Sequence, residues 1–471
     1  MIRRNIWLRT FTLVTVESGL IVAAVLLSLY WLFAPDYHAL LFEQWGIYKI
    51  IFTTFVCQFI FYLYDLYDLA TTRPRRELFA GIIQAVAIAC LILGLIFTLI
   101  PRLLLGYTVQ DGRVSYAQGV PTTAMVLTLG FMICWRVVIH WLLSHPRLAE
   151  RVLIIGAGTP AVELAREVLA RRDLGYRIIG FIADNPMMIG QSLVNPKVVG
   201  VANDIMQIVE RERVDRVVVA LNDRRGHLPV DQLLELRLQG SAMIEEGTAF
   251  YERVTGKISV EMLRPSWIIF SGGSKRSRMW FLIRRMLNFV IAVVGVILSF
   301  PISLLTALAI KLESPGPIFY QQERVGKNGR RFTIIKFRSM RQDAEQSGPQ
   351  WAAASDDRTT RIGRFIRKVR IDEIPQFINI LRGEMSLVGP RPERPFFVEQ
   401  LTEQIPFYSQ RHIVEPGLTG WAQINYEYGA SVEDALEKLQ YDLYYIKNAS
   451  LLFDLWILLQ SFKIIIFGRG R

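Results

Sequence analysis

The apolar residues of this chain are gathered into long runs rather than spread at the spacing of a soluble core. Four runs, about residues 12–33, 47–64, 79–100 and 121–143, fill the N-terminal third. Each approaches the roughly 20 residues that cross a bilayer as a helix. Basic residues collect before the first run (Arg3, Arg4, Arg9), between the second and third (Arg73, Arg75, Arg76) and after the fourth (Arg147, Arg151). Such flanks stay on the cytoplasmic side, so the expected topology keeps both ends of a four-helix transmembrane region, residues 1–146, in the cytoplasm. The first run is long for the apolar part of a secretion signal and has no small-residue cleavage site after it, which predicts a retained helix.

From residue 147 the pattern changes period. RVLIIGAGTPAVELAREVLARRDLGYRIIGFIADN, from Arg151, reads as a buried strand, a glycine turn, a helix and a second strand ending at Asp184. Gly156, Gly158 and Ala161 fit G-x-G-x-x-G/A. In that fingerprint the first glycine makes the tight turn and the second lets backbone approach a pyrophosphate, while an acidic residue at the end of the second strand takes a ribose hydroxyl. With the further strand VDRVVVAL at 214–221, the prediction is a Rossmann-like α/β domain over 147–265. A lone fingerprint serves either a nucleotide or packing alone, and the sequence leaves both open.

A fifth apolar run, 286–310, holds no charged residue, yet Arg284 and Arg285 precede it and Lys311 follows, so both flanks carry the cytoplasmic mark. Pro301 lies inside, where it removes a helical hydrogen bond, and Ser299 stands ready for a freed backbone group. These features predict a helix over 284–311 that enters the membrane, bends and returns. A kinked full crossing is the alternative, and it would place everything after Lys311 outside. RIGRFIRKVR (361–370) sets Ile362, Phe365, Ile366 and Val369 against Arg361, Arg364, Arg367 and Lys368. That is either an interfacial basic helix or a helix with one face buried in its own domain. The C-terminal run from Leu451, with Lys463, Arg469 and Arg471, is apolar enough to lie at the interface too.

Composition agrees with a multidomain membrane protein: 52% hydrophobic residues over 471 positions and a mean hydropathy of +0.29. The net charge of +12 suits anionic lipid headgroups better than nucleic acid, since no zinc, helix-turn-helix or RNA-binding signature accompanies it. Cys57, Cys90 and Cys134 all fall in apolar runs, which argues against a disulfide framework or a metal cluster.

Candidate chemistry centres on RKVRIDEIPQFINILRGEMSLVGPRPERP (367–395). Pro375 suits the first turn of a helix and Gly383 its stop, which sets Asp372 and Glu373 at the N-terminal end. Neighbours on a helix point about 100° apart, so the two acids serve different partners: one attacks while the other holds a cation. Plain N-terminal capping is the other use of acids there.

Four segments in order, SPGPIFYQQERVGKNGRRFTIIKFRSM, DEIPQFINILRGEMSLVGPRPERP, EPGLTGWAQI and YDLYYIKNASLLFDLWIL, resemble the bacterial sugar-transferase domain of the monotopic polyprenyl-phosphate phosphoglycosyl transferases, over residues 277–471. The spans and Rossmann-like domain ahead of it resemble the large members that initiate exopolysaccharide or O-antigen synthesis. The resemblance implies transfer of hexose 1-phosphate from a UDP-sugar to undecaprenyl phosphate, releasing UMP, with Mg²⁺ as cofactor. It implies a bacterial inner-membrane enzyme, homodimeric, whose catalytic domain lies on the cytoplasmic face of the lipid bilayer. Carried over by position, Asp372 is the nucleophile, Glu373 the magnesium ligand, Lys336, Arg338 and Arg391 the phosphate-binding cations, and Asp442 a supporting carboxylate. The family's Ser-Pro break here reads SFP, with one residue between Ser299 and Pro301. A different class, a membrane-anchored NAD-dependent nucleotide-sugar dehydratase or epimerase using Gly156 and Gly158, needs a Tyr-x-x-x-Lys pair, and no tyrosine here stands four residues before a lysine. A non-enzymatic scaffold would leave the clustered acids and cations unexplained.

Overall fold

In the computed structural model the chain divides into two compact units, Met1–Gly247 and Thr248–Arg471. The structure describes residues 6–33, 46–64, 66–67, 75–99, 119–143, 149–171, 175–221, 228–261, 263, 277–341, 358–426, 429 and 431–467. Arg3, Arg4, Arg73, Arg147, Arg469 and Arg471, used above for topology and headgroup contact, lie outside the described residues.

The apolar runs form helices α1 (Ile6–Phe33), α2 (Gly46–Leu63), α3 (Arg75–Leu99) and α4 (Gly119–Leu143). Each contains a stretch long and apolar enough to span a membrane. Ile21, Phe61, Ile82, Ala89 and Met132 pack between them, while Trp31, Phe55, Leu91 and Val126 face outward, as side chains solvated by lipid do. The runs are not wholly apolar: Glu17 of α1 meets Arg136 of α4 at 2.8 Å with almost no exposure. Charges inside a span pair with one another because hydrocarbon offers nothing else.

The same unit continues with β1 (Glu150–Ile155), α5 (Thr159–Ala170), β2 (Tyr176–Ala183), β3 (Val198–Val201), α6 (Ile205–Glu212), β4 (Arg216–Val219), α7 (Val230–Gln239) and β5 (Met243–Glu246). The strands form one parallel sheet in the order β3-β2-β1-β4-β5, the Rossmann-like arrangement. Its strands read as continuous apolar runs because helices cover them; Leu153, Ile155, Ile182, Val217 and Leu236 share a core. Arg216 is the exception, and its guanidinium bridges Glu150 of β1 and Glu245 of β5.

The second unit takes up α8 (Gly247–Thr255) from Thr248 onward and then α9 (Arg278–Glu313), a single 36-residue helix with Pro301 inside. It continues through the antiparallel ribbon of β6 (Phe319–Val325) and β7 (Arg331–Phe337), α10 (Arg361–Lys368), a 3-10 turn at Ile371–Glu373, α11 (Gln376–Arg382), β8 (Ser386–Val388), α12 (Pro395–Gln404), β9 (Gly417–Thr419), α13 (Trp421–Asn425), α14 (Val432–Asn448) and α15 (Leu451–Phe467). The segment after α8 packs on α14: Ile258 and Val260 share a core with Leu439 and Leu443. Lys257 pairs with Glu437 at 2.7 Å and Lys447 with Glu252 at 2.8 Å. Residues 248–263, which the sequence groups with the Rossmann-like domain, therefore pack within the second unit.

Two stretches of α9 hold the rest of this unit. Near its start, Arg284 donates to Asp454 at 2.9 Å, to the Val388 carbonyl at 2.7 Å and to Tyr445 at 2.8 Å. Arg285 donates to the Ile380 and Leu381 carbonyls at the end of α11, where a cation offsets the negative end of a helix. Ala292 joins the core with Ile380 and Leu387. Near its end, Ile310 packs with Phe337 and Ile366, against which Ile371 and Ile374 also lie. Between these anchorages Ile297, Leu298, Phe300 and Leu305 are more than half exposed. Ser299 Oγ donates to the Val296 carbonyl at 3.4 Å, not to the Ile297 carbonyl that Pro301 leaves without its usual donor. In α10, Ile362 and Ile366 turn to this core while Phe365 is 61% exposed, so the helix combines a buried face with one outward aromatic.

Candidate active site

Two local devices build the acidic turn. Thr360 caps α10 through a hydrogen bond from Gly363 N, and Gly363 lies so close to Ser339 that a Cβ there would meet its carbonyl oxygen at 1.9 Å. Arg370 then adopts a left-handed backbone, φ 55 and ψ 21, which ends α10 and starts the 3-10 turn carrying Asp372 and Glu373. Non-glycine residues in that region cost about 1 kcal/mol or more and persist where the surroundings impose them. The helix expected to begin with Pro375 starts one residue later: Pro375 is its N-cap and Gly383, at φ 82, its C-cap. The acids thus precede α11 by a 3-10 turn, where neighbours point about 120° apart.

Asp372 and Glu373 are both buried, and their surroundings differ. Glu373 Oε1 accepts from Arg391 at 2.9 Å and Lys336 at 3.3 Å, and Oε2 lies 3.5 Å from Arg370. Burial raises the Glu373 pKa, but Arg391, Lys336 and Arg370 outweigh it and hold this carboxyl well below the usual range. Asp372 accepts no hydrogen bond among the described residues. Burial first, and then the neighbouring Glu373, push it up to about 6, with Lys336, Arg367 and Arg391 opposing. Adjacent acids with pKa values pushed apart are equipped for different tasks: Glu373 stays ionised and anchors cations, while Asp372 is the more basic and the free one.

Of the residues singled out by sequence, the structure brings Lys336 and Arg391 to Glu373. Burial lowers the Lys336 pKa against the pull of Glu373. Arg338 is placed elsewhere: its guanidinium donates to the Ser314 and Pro315 carbonyls at 2.8 and 2.7 Å and to Ser314 Oγ, closing the C-terminal end of α9. Asp442 reaches the site through an intermediary, accepting from Arg411 at 2.8 and 3.1 Å. Arg411 in turn donates to the Arg391 carbonyl at 3.1 Å and to Tyr408 at 2.7 Å. Trp421 packs against Tyr444 and Phe453 and donates to the Gly256 carbonyl.

The motifs did not disclose several contributors. Arg411 is one. Asn379 is another: it accepts from Ile335 N at 3.1 Å and donates to the Thr333 carbonyl at 2.8 Å, fastening α11 to the strand that carries Lys336. Arg324 and Gln376 line a narrow cleft beside the acids together with Lys336 and Arg391. One signal was readable: Gln376, Asn379 and Ile380 lie three and four residues apart, so two amides share the inward stripe of α11.

At the Rossmann-like sheet, Gly156 (φ 123) ends β1, Gly158 caps α5 with extended backbone, and Asp184 is exposed one residue beyond β2. All three stand at the carboxyl edge of the sheet, the ligand side in open α/β folds. A Cβ on Gly156 would meet the Ala220 carbonyl oxygen at 2.4 Å, so close packing alone requires this glycine.

A basic free carboxylate beside a second one caged by cations, on a unit carrying a 36-residue apolar helix, defines a membrane-associated site suited to phosphoryl chemistry. Residues 279–468 match the bacterial sugar transferase family, and 62–234 match a CoA-binding domain. The chain is 32% identical over 340 residues, 69% of each protein, to the UDP-glucose:undecaprenyl-phosphate glucose-1-phosphate transferase of Escherichia coli. It is 33% identical over 348 residues to the undecaprenyl-phosphate glucose phosphotransferase of Komagataeibacter xylinus, covering 71% of this chain and 62% of that one. It is 47% identical over 219 residues to the UDP-N-acetylgalactosamine-undecaprenyl-phosphate N-acetylgalactosaminephosphotransferase of Aeromonas hydrophila, 46% of this chain and 51% of that protein. The chain therefore spans about half the length of the Aeromonas relative. It belongs to the bacterial sugar transferase family.

Proposed function

We propose that this protein transfers hexose 1-phosphate from a UDP-sugar to undecaprenyl phosphate, releasing UMP, in two displacements at the cytoplasmic face of a bacterial inner membrane. The observation that carries the reading is the split between the two acids: a buried Asp372 without a hydrogen-bond partner among the described residues, beside a Glu373 held by Lys336, Arg370 and Arg391. In the first displacement an Asp372 carboxylate oxygen bonds to the sugar-bearing phosphorus. The bond from that phosphorus to the bridging oxygen breaks, and UMP leaves with the electron pair. In the second, a phosphate oxygen of the lipid attacks the same phosphorus and the carboxylate departs, restoring Asp372. Lys336 and Arg391 border the cleft where the phosphoryl oxygens gather charge.

Magnesium fits this donor set in a limited way. It takes one or two carboxylates and completes its shell with substrate phosphates and water; among the described residues no cluster of three acidic, histidine or cysteine ligands exists. Glu373 Oε2, free of hydrogen bonds, is the oxygen that would hold it, and the ion would supply charge neutralisation on the diphosphate.

The placement of α9 supports a helix that enters the membrane and returns. Ala292 and Ile310 are 18 residues apart, about 27 Å on a straight helix, yet they join cores containing Ile380 and Ile374, six residues apart. A bend at Pro301 would bring both anchorages to one face, leaving the apolar middle for lipid and Asp372 at the surface. Relatives named for glucose and for N-acetylgalactosamine leave the donor as a UDP-hexose. The deciding experiment omits the lipid: labelled UMP exchanges into UDP-sugar with the wild-type protein and not with Asp372→Asn. Product formation on added lipid without exchange would replace the covalent route by direct transfer.

A further inference from the structure

One buried polar side chain beside the acids remains without employment. Gln376 follows Asp372 by four residues, with right-handed helical backbone at Ile374 and Pro375 between them, and its cleft is bordered by Lys336 and Arg391, the two cations that reach Glu373. Gln376 is 3% exposed and has no hydrogen-bond partner among the described residues. It lines the cleft with Arg324, Ile334, Lys336, Arg391 and Leu418. The Gln376 amide is not among the polar atoms sealed from solvent without a partner, so it opens on the cleft, whereas the neighbouring amide Asn379 is spent on Ile335 N and the Thr333 carbonyl. The cleft encloses about 10 Å³, room for one oxygen-sized group and not for a sugar ring or a base. Arg324, which donates to the Pro392 carbonyl and Gln322, also lines the cleft.

We propose that Gln376 is a catalytic residue: its amide NH₂ donates to a non-bridging oxygen of the phosphoryl group passing through Asp372, completing with Lys336 and Arg391 a three-sided pocket for that oxygen. This deepens the two-displacement reading and rests on it. The charges of Lys336 and Arg391 are already shared with Glu373, so a neutral donor adds direction without needing a further counter-charge. Gln376 neither gains nor loses a proton in either step, and the same phosphorus is held in both, so both half-reactions depend on it.

The experiment compares wild type, Gln376→Leu and Gln376→Asn in lipid-free UMP exchange, in complete transfer to undecaprenyl phosphate, and in thermal unfolding. Gln376→Leu should lower kcat about 100-fold in both assays, the loss typical of one oxyanion donor, while KM for UDP-sugar moves less than threefold. Gln376→Asn should recover part of it. The same Leu variant should unfold at or above the wild-type temperature, because it removes an unpaired amide, whereas a structural glutamine would lower it. Exchange by Gln376→Leu within threefold of wild type, a loss confined to KM or to the lipid step, or a loss matched by a fallen unfolding temperature would overturn the proposal. A wild-type protein that forms lipid product without exchange overturns the two-displacement reading itself, an outcome distinguishable because the variant plays no part in it.

Discussion

Two turns that begin with a positive-φ residue invite comparison, Gly156 before α5 and Arg370 before the acidic turn, with φ of 123 and 55. At the first, packing accounts for two of the three motif residues: Gly156 N donates to the Ile182 carbonyl at 2.9 Å, the Ala220 backbone fills the space a side chain would take, and Ala161 is in the core. At the second, a carboxylate and an amide are buried without hydrogen-bond partners among the described residues, and an arginine bears a conformation glycine would adopt freely. A glycine that packing explains requires no ligand. A carboxylate and an amide left free of protein partners beside Lys336 and Arg391 are groups that a ligand can engage.

The sharpest way to break this contrast is to remove the free carboxylate. Asp372→Asn keeps the shape and loses the nucleophile, so UMP exchange and complete transfer should both fall at least about 10³-fold. Gly156→Ala, which forces a Cβ against Ala220, should lower the unfolding temperature and leave exchange per folded molecule within about threefold. Equal losses in the two variants would erase the distinction between the turns. Next in size is Glu373→Gln, which removes the charge that gathers Lys336, Arg370 and Arg391. Exchange should fall about 100-fold and a magnesium titration should shift to higher concentration; an unchanged titration would leave Glu373 as an anchor for cations alone.

Much of this was legible in sequence where a physical pattern is local. Runs of apolar residues located α1 to α4, strand-turn-helix periodicity located the parallel sheet, and two acids before a proline located the turn. What resisted reading was direction. Arg338 and Lys336 are two letters apart on one strand exit, yet Arg338 donates to the Ser314 and Pro315 carbonyls while Lys336 faces Glu373, because residues two apart leave on the same side only while the strand continues, and β7 ends at Phe337. Ile362, Phe365 and Ile366 make one stripe on paper; the neighbouring Phe337 and Ile310 take two of them and leave the third outside. Arg411 could not be inferred at all, since its partner Asp442 lies 31 residues away and its role passes through a backbone carbonyl.

That indirect link gives a smaller effect. Breaking a buried pair by Asp442→Asn leaves Arg411 uncompensated and should destabilise the protein by about 3–5 kcal/mol. Adding Arg411→Met should restore most of that stability, since a neutral pair of similar bulk tolerates burial. The double variant still lacks the donor to the Arg391 carbonyl, so its kcat should remain about tenfold low, a loss of the size expected for one hydrogen bond. Full recovery of activity together with stability would show that Asp442 serves folding alone.

The smallest expected effect tests the quiet turn itself. Gly158 caps α5 at φ −86 and ψ −177 without a side-chain hydrogen bond, an extended conformation any residue adopts, unlike Gly156. Gly158→Ala should therefore change stability by no more than about 0.5 kcal/mol and leave exchange untouched. The same methyl group would stand where a Rossmann-type turn lets its backbone approach a pyrophosphate, and Asp184, exposed at the end of β2, would be the ribose partner. Thermal unfolding of wild type, Gly158→Ala and Asp184→Ala with and without NAD, UDP or coenzyme A separates the two uses of the motif. If packing is its whole purpose, none of the three proteins is stabilised by any of these nucleotides. A rise in the wild-type unfolding temperature that disappears in both variants would give this edge a ligand of its own, and the contrast between the two turns would then be one of occupant rather than of occupancy.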